Sequence, residues 1–402
     1  MQIATVVIPN LNGMKYLKDC LDSLRRQTRT DFSVILIDNG STDGSADYVA
    51  QNYPGGAVER FSENRGFLRA VNAGIRMSST RYVILLNNDT ICDAQFVEQL
   101  VAAMEAHPDC FAGSSRMVQM ADPSRMDNGG DFYCALGWAY TPAKGKPVER
   151  YERARAVFSA CAGAAIYRRA VFDEIGMFDE AHFAYLEDVD VSWRARIYGL
   201  CNMYVPAAVV RHVGSATSGS VYNEFKVRHA SRNSIYLIYK NMPVLQILWN
   251  LPFLIPGFLI KMLFFVKKGY GKEYITGLAK AGAEAATTFV SSFISGFNIG
   301  DLFGKAPSMM QAGLLGLGAI KTAGGIGSAV KTFGMLKTAI LGTGSAATVA
   351  APAVAAMGQG AVAAAGGVAK TTTLLGGVRL FFPRSPDGGG LPPLRLQRQL
   401  SV

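Results

Sequence analysis

TVVIPNLNGMKYLKDCLDSLRRQT, residues 5 to 28, followed by VILIDNGSTDGS, residues 34 to 45, decides the reading of the fold. Residues 5 to 9 and 33 to 38 are short runs rich in β-branched side chains, and Leu17, Cys20, Leu21 and Leu24 recur between them at helical spacing. The order strand, helix, strand makes one βαβ unit. Outward from it, a helical stretch from Gly66 to Met77 leads into an apolar strand at 81 to 87, and a helical pattern from Ala94 to Ala106 is stopped by Pro108. This alternation predicts an α/β fold with a mostly parallel central sheet covered on both faces. Ligands of such sheets gather at the carboxyl ends of the strands. The polar clusters fall there: Pro9-Asn10 after the first strand, Asp38 to Asp43 after the second, Asn87 to Thr90 after the later one.

Beyond Pro108 the pattern is mixed, with a Gly129-Gly130 turn, an apolar run from Phe158 to Tyr167 and a helix-like Arg169 to Ile175. A second helix reads from Glu187 to Tyr198, and a strand at 203 to 210 delivers Arg211 and His212 at its end. Residues 1 to 240 are expected to form one catalytic domain, the later part being its acceptor side. Residues 241 to 285 contain the apolar run Val244 to Val266, interrupted by Pro252, Pro256 and Lys261. Its length suits a membrane span, and its prolines and lysine suit a segment lying in the interface; apolar helices packed on the domain are the plainer alternative. Residues 286 to 402, rich in Ala and Gly and basic at the end, are expected to be a poorly ordered tail.

A formal net charge of +10 points to anionic partners such as nucleoside diphosphates or anionic lipid. Nucleic acid is set aside, because Lys and Arg are scattered and no recognition motif stands out. The six cysteines lie far apart without a CxxC pair, and are expected to be reduced thiols of a cytoplasmic domain. No basic start followed by a long apolar stretch precedes the first strand, which agrees with that compartment. The turn after the first strand is Asn10-Leu11-Asn12-Gly13, with no GxGxxG cradle, so a nucleotide-dependent oxidoreductase is disfavoured.

The acids at strand ends carry the chemistry. Asp38 and Asp43 can accept hydrogen bonds from a base N–H or a ribose hydroxyl, although Asp43 equally suits capping of the helix that follows it. Asp89, directly after an apolar strand, can hold a divalent cation together with substrate phosphates and a later ligand such as His212; a structural histidine is the bland alternative. Glu187, Asp188 and Asp190 share the first turn of a helix, where acids often serve the helix dipole. Asp188 also suits a general base taking a proton from an acceptor hydroxyl. Neighbouring carboxylates would raise its pKa and the helix N-terminus would lower it, and the two effects stay unresolved at this level.

Several stretches together resemble glycosyltransferase family 2, in particular its bacterial rhamnosyltransferase-like branch: the two quoted above, ENRGFLRAVNAGI (63 to 75), YVILLNNDT (82 to 90), the run from Ser159 to Gly199 that contains FAYLEDVDVSWRAR, and VVRHVGSATSG (209 to 219). The resemblance spans residues 5 to about 240. It implies the GT-A fold and a single displacement with inversion. It also implies roles: Pro9, Asn12, Asp38, Asp43 and Asn88 at the nucleotide sugar, Asn64 and Gly66 near ribose or diphosphate, Asp89 as metal ligand, His212 completing the metal shell, Asp188 as base, Glu187 holding the acceptor, and Arg194 at the acceptor or diphosphate. The implied cofactor is Mg2+ or Mn2+. The implied donor is dTDP-rhamnose or a UDP-hexose, and the acceptor a saccharide or polyprenyl-linked saccharide at the cytoplasmic membrane face, in cell-surface polysaccharide synthesis. The family's usual Asp-x-Asp reads Asn87-Asn88-Asp89 here, so the first acid is absent. A catalytically silent, membrane-associated protein of the same fold is the rival reading; joint presence of Asp38, Asp89, Glu187, Asp188 and His212 speaks against it.

Overall fold

A computed structural model describes residues 2–214 and 222–296. The first half runs β1 (Ala4–Asn10), α1 (Met14–Arg25), β2 (Phe32–Asp38), α2 (Ser45–Asn52), β3 (Ala57–Arg60), α3 (Phe67–Met77) and β4 (Tyr82–Leu86). Parallel pairing in the order β3-β2-β1-β4 makes the nucleotide-type half-sheet that the sequence predicts. Both faces of β1 are buried because its side chains alternate between two cores: Val6 and Ile8 join Leu17 and Leu21 of α1, while Val7 meets Leu68 and Val71 of α3. Gly74 permits the closest approach of α3, since a Cβ there would stand 2.2 Å from Val7 Cγ1.

The second half runs β5 (Thr90–Cys92), α4 (Phe96–Ala106), β6 (Cys110–Gln119), β7 (Met126–Asn128), β8 (Phe132–Cys134), β9 (Trp138–Tyr140), β10 (Arg155–Val157), β11 (Ala164–Arg168), α5 (Val171–Ile175), α6 (Glu187–Ile197) and β12 (Cys201–His212). Here β11 enters antiparallel between β4 and β6, and β6 pairs in parallel with β12. The sheet is therefore mixed, parallel on the β1 side, and has the GT-A form. Two short strands fix the later site: β5 sets Thr90 opposite His212, and β7 runs antiparallel beside β6, whose Gln119 also faces His212.

One reading needs correction. The chain contains a disulfide, Cys110–Cys201, rather than thiols alone. Both residues start neighbouring strands, which places their Cα atoms 4.4 Å apart, close enough to bridge; a separation of 91 residues hides this in the sequence. Cys20, Cys92, Cys134 and Cys161 are free. Within the apolar run from Phe158 to Tyr167, the residues from Ala164 onward belong to β11.

After β12 come α7 (Glu224–Asn241), α8 (Val244–Lys267) and α9 (Gly271–Gly296). These belong to the same compact unit as the sheet, Met1–Phe297. An apolar cavity of about 430 Å³ lies between α7, α8 and α9, away from the strand ends. The expectation of a poorly ordered tail falls on residues outside those described, beyond the backbone of α9.

Candidate active site

The carboxyl ends of β1, β2 and β4 are tied together through one buried amide. Asn10 Nδ2 donates to Asp38 Oδ1 (3.1 Å), Ser41 Oγ (3.1 Å) and Ser45 Oγ (2.8 Å), and Asn10 Oδ1 accepts from Asn88 Nδ2 (2.8 Å). Register sets this up, since Asn10 stands opposite Asp38, and Pro9 opposite Ile37. The second oxygen of Asp38 accepts from the Ser41 amide at 3.3 Å. Asn12, in the left-handed region at φ 50°, clamps the next loop by accepting from the Thr42 amide at 2.8 Å. Asp43 accepts from the Ser45 amide (3.0 Å) and the Met14 amide (2.8 Å), bracing the starts of α1 and α2. Asp43 thus satisfies the first amide of α2 from the residue before its N-cap, Gly44. Burial opposes its charge, but hydrogen bonds from Ser45 and Met14 win and hold the carboxyl below the usual range. Asn64 Oδ1 accepts from Asn39 Nδ2 and the Gly66 amide, each at 2.9 Å, which shapes the turn into α3.

Gly13 has to be glycine for steric reasons alone. A Cβ there would stand 2.1 Å from Asn88 Nδ2 and 2.2 Å from Asn10 Oδ1, inside the hydrogen bond that joins β1 to β4. Gly13→Ala is expected to destabilise the protein by about 1 to 3 kcal/mol, the usual scale for overpacking, and to weaken nucleotide binding more than turnover. Thermal melts and donor KM check this; an unchanged KM would separate Asn10 and Asn88 from the donor.

At the next position along the rim, the His212 ring stands between two acids. His212 Nε2 is 3.3 Å from Asp89 Oδ1, and His212 Nδ1 is 2.7 Å from Asp127 Oδ2. Lys144 Nζ reaches the other oxygen of Asp127 at 3.1 Å. Burial opposes a charge on the ring, yet the Asp127 and Asp89 carboxylates outweigh it and lift His212 to about 9. Asp127 was not singled out from the sequence, where it lies in a polar, turn-rich region without periodicity; only the pairing of β7 with β6 brings it to His212.

The pair fits a divalent cation. Oxygen and nitrogen ligands about 2.1 Å from one ion lie roughly 3 Å apart, which is the spacing of Asp89 Oδ1 and His212 Nε2. A ligating histidine commonly gives its other ring nitrogen to a carboxylate, the position Asp127 holds. A cation bound there would compete with a proton on His212.

A third cluster completes the rim. Carboxylate oxygens of Asp131 and Asp188 and the sulfur of Cys161 lie within 4.8 Å of one another. Asp131 Oδ1 accepts from Thr141 Oγ1 and from Asn128 Nδ2 at 3.2 Å, so this cluster joins β7, the strand that carries Asp127. Burial, then Glu187 and Asp131, push Asp188 well above the usual carboxylate range; burial also lifts Glu187 to about 7 and raises Asp131. The sequence left the helix N-terminus and the neighbouring acids in balance, and burial decides for a raised pKa. Glu187 Oε2 is buried without a hydrogen-bond partner among the described residues.

The turn that presents Glu187 and Asp188 is conformationally unusual. Phe183, Tyr185 and Leu186 all have positive φ (61°, 70° and 67°), which non-glycine residues adopt only when their surroundings force it. Asn233 of α7 does so: its Nδ2 donates to the carbonyls of His182, Ala184 and Tyr185 at 2.8 to 2.9 Å. Sequence reasoning passed over Asn233, which sits in an unremarkable polar helix. Arg194 corrects another expectation. Its Nε and Nη2 bind Asp190, and its remaining donors reach the carbonyls of Ile175, Gly176 and Met177. All five donors are engaged inside the fold, leaving none for acceptor or diphosphate.

The GT-A sheet with acids and amides gathered at its strand ends agrees with one class, a glycosyltransferase, and similarity to known proteins supports that class. Residues 5–176 match the profile described as Glycosyl transferase family 2. The N-acetylglucosaminyl-diphospho-decaprenol L-rhamnosyltransferase of Mycobacterium tuberculosis is 28% identical over 262 residues, covering 58% of this chain and 84% of its own. A PGL/p-HBAD biosynthesis glycosyltransferase of Mycobacterium bovis is 27% identical over 228 residues, covering 55% of this chain and 77% of its own. Among solved structures, GalNAc-T7 with UDP, GalNAc and Mn2+ superposes with a TM-score of 0.48 at 16% identity, over 59% of this chain and 48% of that one. Over residues 5–176 the chain is thus similar to glycosyltransferase family 2, as its motifs imply, and it is similar to rhamnosyltransferase-like relatives.

Proposed function

We propose that the protein is an inverting glycosyltransferase that moves a hexosyl or rhamnosyl group from a nucleoside-diphosphate donor, dTDP-rhamnose or a UDP-hexose, to a saccharide or polyprenyl-linked saccharide. The acceptor is met at the cytoplasmic face of the membrane, in cell-surface polysaccharide synthesis. The observation that carries this reading is the continuity of the rim: Asp38, Asn10 and Asn88 lead to Asp89 and His212, then through Asp127 and Asn128 to Asp131 and Asp188.

In this reading Asp38, with Asn12, Asp43 and Pro9 shaping its loop, receives base and ribose, while Asn64 and Gly66 border the ribose or diphosphate. Asp89 and His212 hold Mg2+ or Mn2+, which when bound neutralises the departing diphosphate. Asp188 takes the acceptor hydroxyl proton; the acceptor oxygen bonds to the anomeric carbon as the bond from that carbon to the diphosphate oxygen breaks on the opposite face. Glu187 and Asp131 keep Asp188 basic enough for this task, and Glu187 holds the acceptor. Asp127 fixes the His212 tautomer and aims Nε2 at Asp89.

Asp127→Asn is expected to lower Mn2+ affinity by roughly 10- to 100-fold, the usual effect of removing an outer partner of a ligating histidine, with the fold intact. Calorimetric titration of Mn2+ measures this without turnover, and equal affinity in both proteins would remove His212 from the metal site. Screening nucleotide sugars for release of nucleoside diphosphate tests the whole reading. Release should require a divalent cation and one donor class; full activity in excess chelator, or no release from any donor, would sink it.

A further inference from the structure

Helix α8 has no acidic residue along its 24 positions. Its two faces differ. Leu254 and Gly257 are buried, with Gly257 against Leu136 and Leu254 against Gly137 in the β8–β9 hairpin. On the same face Lys261 Nζ lies 5.2 Å from the centre of the Trp138 ring, and Phe265 stacks on Tyr274 of α9. The opposite face carries Leu245, Leu248, Trp249, Ile255, Leu259 and Leu263, all exposed, with Leu245 and Trp249 each 82% open. An uninterrupted aliphatic and aromatic stripe of this size on an exposed helix marks an interaction surface.

Both ends of α8 are held against the sheet-bearing unit. Its start follows α7 directly, and its end meets the approach to α7, where Tyr222 packs edge-on to Phe264 and Phe265 and the Tyr222 carbonyl accepts from Tyr270 Oη at 3.2 Å. A helix of 24 residues is about 36 Å long, enough to cross a bilayer, but crossing would drag the hairpin and α7 packed along it into hydrocarbon. Pro252 and Pro256 add a second argument: without their N–H groups, the carbonyls of Leu248 and Pro252 lose their intrahelical donors. Water at an interface satisfies such carbonyls directly, whereas in hydrocarbon they need a neighbouring helix, a side chain or an ordered water. Exposed Lys267 and Lys268 at the end of the helix, and Lys272 in the first turn of α9, supply the charge that anionic headgroups attract.

We propose that α8 is a monotopic docking face: it lies in the plane of an anionic lipid bilayer, the Leu245–Leu263 stripe sunk into one leaflet and both ends on the same side. This deepens, and rests on, the reading that the enzyme works at a membrane. Because the β8–β9 hairpin follows Asp131 and precedes Thr141 while its tip packs on α8, the docking face also sets the height of the Asp188 cluster above the lipid.

The full-length chain should float with vesicles of phosphatidylcholine and phosphatidylglycerol in equal parts. An environment-sensitive label on cysteines introduced in turn at Leu248, Ile255 and Leu263, quenched by lipids brominated at graded depths, should report one common depth of roughly 5 to 10 Å. Since depth is read on α8 itself, vesicle binding by another part of the chain does not mimic the result. A maximum at Ile255 with the outer labels in opposite leaflets would mean a span and overturn the proposal. So would labels left in water, whether the chain is monomeric or self-associates through this face. Leu248→Glu combined with Leu263→Glu should weaken vesicle binding at least tenfold without changing donor binding. Loss of donor binding in the unmodified chain would instead count against the transferase reading and leave the docking result to stand alone.

Discussion

Asp188→Asn is expected to lower turnover by about two to four orders of magnitude, the scale of a lost general base, with donor affinity close to that of the unmodified enzyme. The same change should raise the unfolding midpoint at pH 8 and leave it nearly unchanged at about pH 3, below the unfolded carboxylate value. The sign follows from linkage. Burial, Glu187 and Asp131 raise the Asp188 pKa in the folded state, so its contribution to stability is full below the unfolded pKa and is lost as pH rises through the folded one. As pH rises toward the raised folded value, the native protein comes to carry a negative charge beside two other acids, which a neutral amide removes. The pH profile is tied to the same cluster. With Glu187 lifted to about 7 and Asp188 raised as well, kcat/KM should fall as pH drops through neutrality, where an ordinary carboxylate base would hold until about pH 4. The two acids titrate as a unit, so the limb belongs to the cluster. Turnover within tenfold of normal in the amide variant, or a profile that ignores the substitution, would take Asp188 out of the role.

Asp190→Ala is expected to cost about 3 to 5 kcal/mol of stability, the range for breaking a buried charge network. Asp190 is fully buried and accepts from Arg194 Nε (3.1 Å) and Nη2 (2.9 Å), Lys240 Nζ (2.9 Å) and Asn241 Nδ2 (2.9 Å). Removing it leaves Arg194 with no carboxylate and Lys240 with Asp179 alone, and loosens α6 from α7. Lys240 also binds Asp179, which accepts from Tyr236 as well, so one lysine bridges two acids. Burial alone would raise Asp190, but Arg194 and Lys240 prevail and hold it below the usual range; Lys240 and Tyr236 likewise hold Asp179 far down. Acids with depressed pKa values stabilise above their unfolded pKa, and that stabilisation disappears as pH falls through the folded values. The unmodified protein should therefore lose stability steeply below about pH 4, and Asp190→Asn should flatten that limb from a lower starting point. Urea titrations across pH measure both; a cost under about 1 kcal/mol for the alanine variant, the upper range of an exposed pair, would mean that the network is solvated.

The resemblance of the motifs made the fold legible, and local periodicity made its first half legible without it. β1, α1, β2 and β4 appear where alternation and helical spacing put them, because each signal lies within a few contiguous residues. β6 was invisible to that reading. Its CFAGSSRMVQ places Ser114 and Ser115, both fully buried, in a central strand, and only ladder pairing with β11 and β12 makes those positions interior. The cost of missing β6 was Asp127 and the Cys110–Cys201 bridge, both of which depend on what β6 pairs with.

What the sequence determined by itself is the inventory at the strand ends: which acids and amides stand after which strands, and that Asp188 opens a helix. Local backbone geometry suffices for that, since a strand of known register delivers its last residue to a known edge. The tertiary structure alone decided how those residues are used. It turned Arg194 inward to Asp190, matched His212 with Asp127 as well as Asp89, set Asp131 beside Asp188, and held the turn before Asp188 open with Asn233. Charge states and hydrogen-bond partners depend on distance and burial, and these arise from pairing between segments far apart along the chain.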